Sequence, residues 1–515
     1  MTPEEFIQNP WKDASGHPQY KESFLNMRPA PEYASGEVLL ASLYRNVGFS
    51  EKVSEGKVPT LGRDLAKRLE RGRRSGGDQG TGIGLDTLKS LMYGAISSPK
   101  QPNQTTRRFL QLCPLIPDAA IYSLSARLSA NSWNPGELVR RLIGFGELDR
   151  SRVDDKWREL FHHLSVGPND DIWAKFLSKE FTSWRTDELR NEWNPPEGAE
   201  RSPAIEHWHN GSATIPAQQF VRDLDHTLFL KERLTRRQWI SLVESILRLG
   251  AASHVLWLCR VGSVFNDSIM SVLSGEPPPS EVELRLRFGV GNPFWRYGQV
   301  AGRTIKDNVQ GFVMSRLAIN LLLWHCETVQ VGRANALSGQ SLASIPSIAV
   351  FLARLADIRG QMRMDEFNQC LHKAIDDNPR VVAGKEGIGS NIGEFLRHVL
   401  GQRQTSEAGM DSYDQGYYLR KRGNYKTAPW IVSLGPVSVL TLVHCCTHLA
   451  KGPRTVEDFC RHLSNYGIEI RAQDVPQSDL GQTLRNLGLV LDSPDAEGGM
   501  VLVSPFKSTI TGESR

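Results

Sequence analysis

No stretch of this 515-residue chain is both long and uninterruptedly apolar. The best run, "GFVMSRLAINLLLWHC", is broken by Arg316 and Asn320 and falls short of the roughly 20 residues a membrane helix needs, so it reads as a buried helix. Cysteine is scarce. The seven (Cys113, Cys259, Cys326, Cys370, Cys445, Cys446 and Cys460) are odd in number, scattered and mostly in apolar surroundings, which argues against a disulfide framework and for reduced thiols in the cytosol. A charge excess is missing too: 61 basic against 57 acidic residues leave +4, so affinity for nucleic acid has to come from local clusters. The first residues, "MTPEEFIQNPWKD", are acidic and proline-broken where a signal peptide needs a basic start and an apolar run. These features predict a cytoplasmic protein without a membrane partner. Strand–helix alternation of the kind a parallel sheet requires is absent, and no internal repeat marks a solenoid.

What is present is ordinary globular composition, 40% hydrophobic and 23% charged, in a chain long enough for several cores. Apolar residues recur at helical spacing in "GELVRRLIGF", "DDKWRELFHHL", "TRRQWISLVESILRLGAASHVLWLCRV", "SIAVFLARLADI" and "MDEFNQCLHKAI", so the expected fold is mainly α and multi-domain. Composition shifts divide it into an irregular N-terminal arm at 1–60 around one short helix, a helical domain at 61–190, and a Pro/Gly-rich linker at 191–216. A second helical domain follows at 217–405, then a basic, aromatic connector at 406–435 and a final module at 436–515.

In that module "PVSVLTLVHCCTHLA" predicts a first helix. "TVEDFCRHLSNYG" predicts a second, capped by Thr455 and stopped by Gly467, and "LGQTLRNLG" a third, capped by Asp479. Two β-rich runs, "LVLDS" and "MVLVS", flank the turn "PDAEGG". Three helices followed by a hairpin is the order of a winged helix. Its charge opposes a grip on DNA: residues 436–515 hold seven basic and nine acidic side chains, the expected wing carries Asp492, Asp495 and Glu497, and the third helix offers Arg485 with Gln482 and Asn486. Packing or docking of another protein is the favoured use.

Positive charge gathers elsewhere. Arg63, Lys67 and Arg71 are four apart on one face of an expected helix, with Arg73 and Arg74 beyond it. Such a face can follow a phosphate backbone, or simply be solvated. Arg420, Lys421, Arg422 and Lys426 lie among Tyr413, Tyr417, Tyr418, Tyr425 and Trp430. Cations interleaved with aromatics stack on bases or anchor a connector to its neighbour, and the anchor is favoured.

No convergent catalytic set stands out, and no cofactor or metal is implied. "VRDLDHTLFL", with Asp223, Asp225 and Thr227, resembles the first motif of haloacid-dehalogenase-type phosphatases, which implies a carboxylate nucleophile, a second carboxylate as acid/base and a metal. His226 replaces the glycine usual there, no doubly wound alternation follows, and a turn or helix-cap role for either aspartate is the simpler expectation. "HCCTH" places His444 and His448 on one helical face, and "EHWH" offers Glu206, His207 and His209 in a loop; a structural reading is favoured for the first, and the second lacks a further ligand. "GGDQGTGIG" and "GKEGIGSNIGEF" lack the Gly-Lys-Ser/Thr ending of a phosphate loop and read as turns.

In style, "YDQGYYLRKRG", "PWIVSLGPVSVLTLVHCC" and "LRNLGLVLDSPDAEGGM" resemble uncharacterised subunits of bacterial multi-gene restriction and phage-defence loci. The resemblance implies a DNA-linked role, in antiviral defence or restriction, without assigning residues. The expected function is therefore a non-catalytic assembly or adaptor subunit that docks other protein subunits, with DNA contact through the basic patches left open. A metal-dependent phosphohydrolase using Asp223 and Asp225, and a winged-helix regulator reading bases with Gln482, Arg485 and Asn486, are the alternatives.

Overall fold

A computed structural model describes residues 1–27, 36–50, 87, 113–122, 135–147, 150–184, 189–195, 215–289, 291, 293–328, 341–403, 414–423, 427–491 and 500–506. The described chain is mainly helical. The labelled helices are α1 (Gly36–Asn46), α2 (Pro135–Gly146), α3 (Pro216–Leu228), α4 (Arg236–Leu273), α5 (Ala301–Thr328), α6 (Ile345–Ile358), α7 (Gly387–Leu400), α8 (Pro436–Thr447), α9 (Val456–Ser464) and α10 (Asp479–Asn486). Strands are short pairs: β1 (Trp295–Arg296) runs parallel to β4 (Ile468–Glu469), β2 (Leu419–Lys421) antiparallel to β3 (Trp430–Val432), and β5 (Val490–Leu491) antiparallel to β6 (Val501–Leu502).

The 38-residue α4 is the axis. Thr235 and Gln238 open it with a reciprocal capping box. From Leu242 to Cys259 every residue is buried, with Glu244, Arg248 and His254 enclosed among the apolar side chains. It is the one described helix long and apolar enough to cross a membrane, and that stretch is wholly covered by the rest of the fold. α5 lies along it, and small residues let the backbones close up: a Cβ on Gly311 would sit 2.4 Å from Ser263 Oγ, and one on Gly262 3.0 Å from Ser315 Oγ.

Two expectations change here. The N-terminal residues are not a loose arm: the helices Pro3–Gln8 and Pro18–Lys21 bury Phe6 and Tyr20, Phe24 and Leu25 are buried just beyond them, His17 N–H donates to Asn320 Oδ1 at 2.7 Å, and Trp324 Nε1 donates to the Ser15 carbonyl at 3.0 Å. Apolar side chains spaced along "EEFIQNPW" and "YKESFLNM" seat on α5, a long-range fit that local proline content hides. The two helical blocks also share one core. Arg236, at the start of α4, is fully enclosed by the earlier block: it donates to the Leu115 carbonyl at 2.8 Å, the Ser165 carbonyl and Asp170 Oδ1 at 2.9 Å, the Tyr44 hydroxyl at 3.1 Å and the Leu164 carbonyl.

His254, midway along α4, is fully buried against Phe145 and Trp257, and neither ring nitrogen has a hydrogen-bond partner among the described residues. Burial, with a smaller push from Arg141, holds its pKa down to about 3 from an ordinary 6.5. The folded state therefore takes the neutral ring while the unfolded chain binds a proton below its ordinary value. The stability from this group is complete above that value and drains away as pH falls toward the folded one. The expected loss is about 2 kcal/mol between about pH 7 and about pH 5. Urea unfolding at both pH values should show it in the natural chain and not in His254→Leu; equal pH dependence in the two would contradict it.

Candidate functional site

The C-terminal module is built on α8, α9 and α10. Thr455 caps α9 through a box with Asp458, and Asn465 caps its other end; Gly467, in the turn beyond, takes φ 79°, and a Cβ there would strike the Phe294 ring at 2.1 Å. The cap of α10 is Ser478, whose Oγ accepts from Gly481 N–H at 3.2 Å, and Asp479 is instead its first residue. β5 and β6 follow, and Thr455 bridges antiparallel to Val501, so the segment between α8 and α9 joins the hairpin as a third strand position. The turn with Asp492, Asp495 and Glu497 lies outside the described residues.

The module is fastened to the helical body at a buried seam against α3. Asp223, with none of its surface exposed, accepts from Gln219 Nε2 on its own helix, and from His462 Nε2 on α9 and the Tyr466 hydroxyl just beyond it, each at 2.8 Å. Asn465 Nδ2 adds a bond to Gln219 Oε1 at 2.8 Å. Burial, and then the Asp223 charge, push the Tyr466 hydroxyl well above its ordinary range. At the far ends of α3 and α8, His226 Nδ1 donates to the Cys445 carbonyl at 3.0 Å and His444 Nε2 returns a bond to the His226 carbonyl at 3.1 Å. The flagged pair of His444 and His448 has ring centroids 5.0 Å apart, with His226 at 4.9 Å from His448.

This placement corrects the phosphatase-type expectation. Asp223 and Asp225 stand inside the helix α3, neither at a strand end nor in a turn or cap. Asp223 faces the seam, whereas Asp225 faces Lys156, 2.5 Å away. The two carboxylates do not share a site, and the first is closed off from substrate.

A second buried polar centre was not legible. Arg248, in the middle of α4 and 2% exposed, donates to Asp414 Oδ1 at 2.8 Å, Asp414 Oδ2 at 3.2 Å, the Val399 carbonyl at 2.6 Å and the Gly401 carbonyl at 3.0 Å. Arg403 N–H also reaches Asp414 Oδ2 and its guanidinium pairs with Glu37, each at 3.0 Å. Burial alone would lower the Arg248 pKa, but the Asp414 and Glu244 carboxylates outweigh it and raise it. Ser241, Glu244, Ser245, Gln415 and Val437 border a cleft of about 240 Å³ beside this pair. The one signal in the sequence is an arginine inside "SILRLGAAS", where only a fully paired cation survives burial.

The sequence-flagged basic residues fall in three places. Arg63, Lys67, Arg71, Arg73, Arg74 and Lys426 lie outside the described residues, as does the "EHWH" loop. Arg420 pairs with Asp479 at 3.4 Å and the Lys421 ammonium sits 5.4 Å from the Trp430 ring centroid, while Arg422 is exposed beside them. Tyr417 and Tyr418 are buried, Tyr418 within 2.9 Å of Ser245 Oγ, and so are closed to stacking on a base. On α10 Gln482, Arg485 and Asn486 are exposed, and Arg485 Nη1 donates to the Pro476 carbonyl at 2.9 Å. No protein-family model matches the sequence, and no curated protein matches it.

Proposed function

We propose that this chain is a non-catalytic subunit that docks other proteins through a winged-helix-like module fixed to a helical body, within a bacterial DNA-linked restriction or defence assembly. The order of three helices and a hairpin, with Thr455 bridged to Val501, supports the winged-helix reading. The observation that carries the docking reading is what becomes of four of the module's seven cations; Lys451 is exposed, and Lys507 and Arg515 lie outside the described residues. Arg471 pairs with Asp474 at 2.7 Å, Arg461 with Asp458 at 3.2 Å, and Arg454 with Asp458 at 3.7 Å, while Arg485 is turned onto a backbone carbonyl. A phosphate backbone is gripped by Lys and Arg that give up counterions, and cations already neutralised by neighbouring acids are poorly suited to that. Leu487 and Leu491, 39% and 63% exposed at the end of α10 and in β5, suit a protein surface instead.

Fluorescence anisotropy of the full chain on a labelled duplex across a salt series tests this. Each phosphate neutralised adds about −0.9 to the log–log slope. Whatever slope the natural chain gives, the double change Gln482→Ala and Arg485→Ala is expected to leave it unaltered. A slope that collapses in that variant would make α10 a DNA reader and remove the docking reading.

A further inference from the structure

The seam brings together three side chains of metal-ligating type, each also held by a hydrogen bond: His226 to the Cys445 carbonyl, Asp223 to His462 and Tyr466, and the Cys445 thiol to the Asp223 carbonyl at 3.5 Å. Asp223, His226 and Cys445 bring one carboxylate oxygen, one ring nitrogen and one sulfur within 4.8 Å of one another, with Asp223 and Cys445 buried and His226 half-buried. Asp223 is a carboxylate with no exposed surface, and among the described residues no Lys or Arg pairs with it; its charged partner is His462, and only when that ring is doubly protonated. A buried anion without a fixed counter-ion is costly, and a cation in the seam relieves it.

From this arrangement we infer that Asp223, His226 and Cys445 form a Zn²⁺ site that staples α3 to α8. The ligand types suit zinc, which takes thiolate, imidazole and carboxylate together. The surroundings suit it as well. His226 Nδ1 donates to the Cys445 carbonyl, which fixes the ring and leaves Nε2 with its lone pair, and Asp223 is held by the Tyr466 hydroxyl, His462 and Gln219, the outer hydrogen bonds that orient metal ligands. Binding replaces the Cys445 S–H bond by a Zn–S bond and releases one proton to solvent, so affinity rises with pH. The fourth position falls to water on the half-buried His226 side. Enclosure by α3, α8 and α9 makes the site structural rather than one that turns over substrate.

Metal analysis of the full chain, refolded or dialysed with Zn²⁺ and then freed of loose ions, should find stoichiometric zinc, and Co²⁺ in its place should give a thiolate-to-cobalt charge-transfer band. Both should vanish in Cys445→Ser, while His448→Ala keeps them. Tyr466→Phe should weaken Zn²⁺ about tenfold, as loss of an outer hydrogen bond does. If Cys445→Ser fails to fold, the natural chain decides alone, since no retained zinc and no cobalt–thiolate band would overturn the site. Zinc lost in His448→Ala but kept in Cys445→Ser would also overturn it.

Discussion

Arg248→Met should lower the unfolding free energy by about 3–5 kcal/mol, the cost of stranding one partner of a buried ion pair. The guanidinium holds both oxygens of Asp414 and the carbonyls of Val399 and Gly401, so its loss leaves the end of α7 and the 414–416 turn without their common donor. Methionine fills much of the volume and leaves the charge of Asp414, which is 1% exposed, without the guanidinium that met both of its oxygens, though Arg403 N–H and Gly416 N–H still donate to it. Changing Asp414→Leu in the same chain removes that stranded charge. The double variant should therefore recover part of the loss, and the two single effects should not add. Urea midpoints of the four proteins measure this. Additive losses, or a single-variant loss under about 1 kcal/mol, would mean the pair is not what holds α4 to α7.

The second large effect is expected at Asp223. Asp223→Ala leaves Tyr466 Oη, His462 Nε2 and Gln219 Nε2 buried without their acceptor, at about 1–3 kcal/mol for each donor left unmade and about 3–5 kcal/mol once the seam relaxes. Measured in a chelator, the loss carries no metal contribution. Its location is more informative than its size. Hydrogen exchange should quicken across α9 and the residues up to Tyr466 while α4 stays protected, because Asp223 joins α9 to the body and α4 has its own core. Uniform exchange across the whole chain would instead make the module inseparable from the helical body.

Much of the helical layout could be read from the sequence because it depends on local period and caps. Thr455 caps α9 as its residue type requires, whereas the helix ends at Ser464 with Asn465 as its cap and Gly467 lies in the turn beyond, and the runs at 345–358 and 364–377 follow their apolar spacing. Ser478 rather than Asp479 caps α10, a choice that two adjacent capping residues leave open. What could not be read depends on chain-distant partners. Asp414 sits in a polar stretch with no mark that it closes on Arg248, 166 residues earlier. His462 and Tyr466 look like ordinary helix-end residues until α3 is laid against them. The aspartates of "VRDLDHTLFL" drew a chemical reading because their spacing imitates a motif, whereas on a helix that spacing points them at different neighbours.

A photo-crosslinking amino acid placed at Gln482 of the full chain in its own cells tests the docking claim most directly. The expected result is one discrete protein adduct, of a subunit encoded in the same system, that disappears when Leu491→Asp is added and persists after nuclease treatment. Adducts to DNA, or a protein adduct indifferent to Leu491→Asp, would contradict a protein-docking face on α10.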